Sequence, residues 1–65
     1  MQWLEDAIYA YIKANPYSDI TAHFNELSIE TVMIAKDELV KQNKIRMVPL
    51  GIRYTYVTTE KAVFY

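Results

Sequence analysis

Asp19, His23 and Glu26 are the one trio in this 65-residue chain with metal-site spacing. They fall at i, i+4 and i+7 of a helical pattern, so their side chains would share a face. One histidine with two carboxylates is a thin ligand set, because zinc favours several His or Cys, and the chain has no cysteine. The expectation is no metal and no cofactor, with His23 as a helix-edge residue beside Phe24. Catalytic chemistry has no better footing. There is no Cys, no second His, no glycine-rich phosphate loop and no carboxylate pair set for a cleft. A chain this short also has little room for an enclosed pocket. No enzyme is expected.

The charges carry more. The net charge is −1, but residues 1–38 hold seven acids (Glu5, Asp6, Asp19, Glu26, Glu30, Asp37, Glu38) against Lys13 and Lys36. Residues 39–65 hold Lys41, Lys44, Arg46, Arg53 and Lys61 against Glu60 alone. Such an asymmetry can orient a partner, or it can simply solvate a small surface.

Positioning these residues falls to one small domain, residues 1–65. It would bury only about 60% of the surface its unfolded chain exposes, so its stability is marginal. Without cysteine, no disulfide staples it. Apolar packing must do so, and the 52% hydrophobic content with six Tyr, one Trp and two Phe supplies the material. No apolar run approaches the ~20 residues of a membrane span. Glu5 and Asp6 argue against a signal peptide. The expected location is the cytoplasm.

Trp3, Leu4, Ala7, Ile8, Tyr11 and Ile12 recur at helical spacing, with Glu5, Asp6 and Lys13 on the other side. This predicts a first helix near 3–15, stopped by Pro16. Ser18 is the expected N-cap of a second helix near 18–26, with Ile20, Phe24 and Leu27 inward. Ser28 caps a third helix near 28–42 after a tight turn. There Ile29, Val32, Ala35, Leu39 and Val40 share one arc, and Met33 lies at its edge. Lys36 sits within the arc, its stem covering apolar surface. Asn43 is the expected left-handed C-cap. The predicted core is Trp3, Leu4, Ile8, Ile12, Ile20, Phe24, Leu27, Val32, Leu39 and Ile45.

A hairpin near 44–58 follows, from two runs rich in Ile, Val, Thr and Tyr. Pro49 and Gly51 place its turn. A three-residue loop would put Arg46, Val48, Ile52, Tyr54 and Tyr56 on one face. A four-residue loop puts Ile45, Met47, Tyr54 and Tyr56 on one face and Arg46, Arg53, Thr55 and Val57 on the other. The second is preferred, because one face must be buried.

The run Ser28, Thr31-Val32, Ala35, Leu39, Asn43, Ile45, then Tyr54-Thr55-Tyr56-Val57-Thr58-Thr59-Glu60-Lys61, resembles the winged helix-turn-helix superfamily, of the small prokaryotic or viral regulator type. The resemblance covers roughly residues 18–61, with residues 3–14 as the supporting first helix. Asn43 stands where Gly is usual, and Lys36 where an apolar residue is usual. The resemblance implies an α+β fold of three helices with a C-terminal two-stranded wing. It also implies a third helix entering the major groove of double-stranded DNA, and a wing on the backbone.

The outward positions of that helix would be Glu30, Thr31, Ile34, Asp37, Glu38 and Lys41. Three are carboxylates, a poor surface for phosphates. An acid can accept from cytosine N4, and Ile34 could touch a thymine methyl; a solvated acidic face is the simpler account of most of them. Thr31, Ile34 and Lys41 are the expected groove residues, and Lys44, Arg46 and Arg53 the expected phosphate contacts. Charges on a short hairpin also deter edge pairing, so these bases fit either role. The expected function is a small DNA-binding transcriptional regulator acting by site occupancy. The alternative is an interaction module that docks on protein through its acidic third-helix face or exposed aromatics. Leftover aromatics suggest an interface, so a homodimer through Tyr9, Phe64 and Tyr65 is expected, with the wings free.

Overall fold

A computed structural model of the protein describes residues 2–59. The fold is α+β. Helices α1 (Gln2–Ala14), α2 (Ile20–His23) and α3 (Ile29–Lys41) precede an antiparallel hairpin of β1 (Ile45–Leu50) and β2 (Arg53–Thr58). No helix among the described residues is long and apolar enough to cross a membrane.

The core is one apolar seam. Leu4, Ile8 and Ile12, four residues apart on α1, meet Val32, Ala35 and Leu39 of α3, joined by Ile20 and Ile45. Tyr9, Tyr11, Phe24, Leu27 and Tyr56 pack around it, half-buried. Three expectations about side-chain placement are corrected. Trp3 is 58% exposed, because the buried row runs through Leu4 and leaves its neighbour at the helix margin. Glu5 is buried instead of facing outward, since it stands three and seven residues before Ile8 and Ile12 on the same flank. Ile29 and Val40, expected on the inward arc, are exposed: that arc is narrower and centred on Val32, Ala35 and Leu39.

The ends of α3 follow local chemistry. The Ser28 hydroxyl accepts from the Thr31 N–H at 3.1 Å, satisfying one of the free donors of the first turn. At the other end Asn43 takes φ 62°. Its N–H donates to the Val40 carbonyl and that of Lys44 to the Leu39 carbonyl, both at 2.9 Å. This is the Schellman closure, and it turns the chain directly into β1. The cap of α2 is Asp19, one residue later than expected. Ser18 instead donates its hydroxyl backwards to the Asn15 carbonyl.

The turn is corrected too. Partners run from Ile45↔Thr58 to Leu50↔Arg53, leaving a two-residue turn of Gly51 and Ile52. Gly51 has φ 65° and Ile52 does not share the positive sign, the type II′ pattern that suits strand twist. Pro49 is therefore in β1, not in the turn. The preferred division of faces still holds, because a loop of two and a loop of four differ by one full side-chain period. Both faces are buried at the hairpin's base, however: Ile45 and Thr58 on one, Thr55 and Val57 on the other. One face alone was expected.

Leu39→Ala removes a fully buried side chain from the α1–α3 seam and is expected to cost about 2–5 kcal/mol. Urea denaturation of both proteins measures this. A midpoint near wild type would contradict the seam.

Candidate nucleic-acid interface

The hairpin is held at a set angle by the segment that follows α1. Pro16 ends that helix, and Tyr17 takes φ 68°, a left-handed conformation costly for a residue with Cβ. The turn aims three successive residues at β2. The Tyr17 N–H donates to the Tyr56 carbonyl at 3.4 Å. The Ser18 carbonyl accepts from the Thr55 hydroxyl at 3.1 Å. The Asp19 carboxylate faces the Arg53 guanidinium at 3.4 Å. From the other side, the Lys36 ammonium of α3 lies 5.1 Å from the Tyr56 ring centre and 2.7 Å from the Asp37 carboxylate. Burial alone would lower the pKa of Lys36, but Asp37 and the Tyr56 phenol outweigh it and raise it. Lys36 is thus a charged strut between helix and hairpin, a role its apolar neighbours in sequence only half reveal.

Asp19 does two jobs. Its Oδ1 accepts from the Thr21 hydroxyl at 2.7 Å, the Thr21 N–H at 3.1 Å and the Ala22 N–H at 3.4 Å. Its Oδ2 takes the weaker contact with Arg53. The Thr21 hydrogen bond is the largest influence holding the carboxyl below its ordinary 3.8, against a smaller opposing effect of burial. The motif Asp19-Ile20-Thr21 carries this signal in sequence, where Ser18 draws attention as the more usual cap.

Two of the three residues with metal-site spacing are engaged elsewhere. Asp19 is occupied by the α2 cap, and the His23 ring stacks on Tyr11 at 3.8 Å. Among the described residues no group of three His, Cys, Asp or Glu could hold a metal ion.

The expected groove residues lie as follows. Ile34 is 71% exposed on the outer side of α3, with Glu30, Asp37 and Lys41. Thr31 and Glu38 are half-buried, and Thr31 is further engaged by Ser28 at 2.7 Å. Lys41, Lys44 and Arg46 are all exposed where α3 passes into β1. Arg53 stands apart from them, tied to Asp19. Tyr9 packs against the core, while Phe64 and Tyr65 lie outside the described residues. Sequence reasoning did not foresee a hollow of about 290 Å3 between the 17–21 segment, α3 and the hairpin, lined in part by Tyr17, Met33, Leu50, Arg53 and Tyr54. Its apolar residues come from four separate segments, so no local pattern announces it.

No family model, curated protein or solved structure matches this chain.

Asp19→Ala is expected to destabilise the domain by about 0.5–2 kcal/mol near neutral pH, through loss of the α2 cap. A depressed carboxyl contributes fully above its ordinary value of 3.8 and loses that contribution as pH falls through the lower folded value. The difference from wild type should therefore shrink on acidification below that range. Thermal melts at neutral and acid pH check both the size and the sign.

Proposed function

We propose that this is a winged helix-turn-helix domain that binds double-stranded DNA and acts by occupying its site, as a transcriptional regulator does. The reading carries a cytoplasmic location and no catalysis with it. α3 enters the major groove, with Ile34 towards a thymine methyl and Thr31 near the backbone at the first turn. The observation that carries this reading is the placement of Lys41, Lys44 and Arg46 within one six-residue stretch, all exposed at the junction of α3 and β1. A phosphate strand between helix and wing would meet all three. Arg53 joins them only by leaving Asp19, so its contribution is smaller.

A second reading, a module that docks on protein, is supported by the apolar hollow and by the acids Glu30 and Asp37 on the outer face of α3. Apolar and aromatic surface in a concavity suits a protein partner more than a phosphate chain.

Salt separates the two. With three phosphate contacts, affinity for a mixed-sequence duplex should fall about 40-fold between 50 and 200 mM salt. Lys44→Gln should weaken binding on every sequence and lower the log–log salt slope by about 1. Fluorescence anisotropy measures both. No binding at low salt would remove the DNA reading and leave the protein-docking one.

A further inference from the structure

The two edges of the hairpin differ. Hydrogen-bonded and non-bonded pairs alternate along an antiparallel ladder. The Thr59 N–H donates to the Lys44 carbonyl at 3.0 Å, so the even-numbered residues of β1 point their backbone groups at β2. Ile45, Met47 and Pro49 point theirs away. On β2 the matching outward group, the Tyr56 carbonyl, is taken by Tyr17. On β1 the outward groups of Met47 have no partner among the described residues. Pro49 sits at an outward position, where its missing N–H costs the hairpin nothing.

We infer that the open edge of β1 pairs with β1 of a second copy of this chain, in antiparallel register about a two-fold axis at Met47, giving a four-stranded sheet. Proline and charge together fix the register. An axis at Arg46 would set the two Arg46 side chains against each other, and an axis at Val48 would put each Pro49 opposite the partner's Met47 and lose a donor at both central pairs. An axis at Pro49 would face two residues that cannot donate. An axis at Ile45 would run each strand into the other copy's helix end. An axis at Met47 lets the two Met47 residues exchange N–H···O bonds reciprocally and sets each Pro49 carbonyl opposite the partner's Ile45 N–H.

The side chains agree with that register. Met47 is 53% exposed, Leu50 52% and Ile52 99%. Leu50 would lie opposite the partner's Lys44. Ile52 would reach towards the end of the partner's α3, where Val40 is exposed. The two-fold doubles these residues, but the contact is only one strand edge wide, and small interfaces lie at the weak end of specific association. The dimer is therefore weak and concentration-dependent. It also places Lys44 and Arg46 of both copies along one sheet. Pairing does not depend on the DNA reading, and it is tested without DNA.

Sedimentation velocity from about 10 to about 500 µM should show a rising mass that approaches two chains. Met47→Pro removes the outward donor but no bond within the hairpin, as Pro49 already does, and should give a folded monomer by circular dichroism. Ile52→Lys, at a turn position with no packing to lose, should weaken association without altering the fold. A wild type that stays monomeric throughout would overturn the proposal. So would a dimer that survives both substitutions, above all one lost instead on Tyr9→Ala, which would place the interface on α1.

Discussion

Eight apolar side chains form the core of the described residues, and the rest of the structure is arranged around their contact. α1 offers Leu4, Ile8 and Ile12 in a single row, and α3 answers with Val32, Ala35 and Leu39. Ala35 is small enough for the two helices to approach closely. Among the described residues there is no second core to fall back on. Everything else must attach to that seam at low cost. α2 does so in four residues through Ile20, and the hairpin does so through Ile45, two residues beyond the left-handed Asn43.

The hairpin shows how a small protein orients an element that it cannot bury. Its tip is exposed, so hydrophobic packing cannot set its angle. Polar contacts take over: a backbone bond from Tyr17, a hydroxyl bond to Ser18, an ion pair with Asp19 and the Lys36 strut. Each is modest alone, and exposed ion pairs are worth little. Together they come from two directions, and a hairpin held from both sides keeps one relation to α3. The left-handed Tyr17 is the strained position that aims three of these contacts, and its cost is offset by what it positions.

Much of this was legible in the sequence. Helix order and both ends of α3 follow from short-range chemistry, because Ser28 and Asn43 act on backbone groups within a few residues. The outward exposure of Ile34, Lys41, Lys44 and Arg46 follows from periodicity. What escaped depends on long-range placement or on competition between neighbours. Asp19 and Ser18 are both good caps, and the choice turns on which residue also reaches Arg53 and Thr21. Trp3 matches the apolar pattern, but no described element covers it. The turn shortened from four residues to two because Pro49 has two suitable homes, and a strand edge that needs no donor suits it as well as a turn.

The Gly51–Ile52 tip has a consequence of its own. Nothing lies within 4 Å of where a Gly51 side chain would begin, and Ile52 touches almost nothing. Lengthening the hairpin here by residues added in pairs, one to each strand, leaves every existing side chain on its present face. The seam and the clamp at residues 17–19 would not register the change. The hairpin's reach is therefore an independent variable of this fold. It can be lengthened or shortened while the body stays the same.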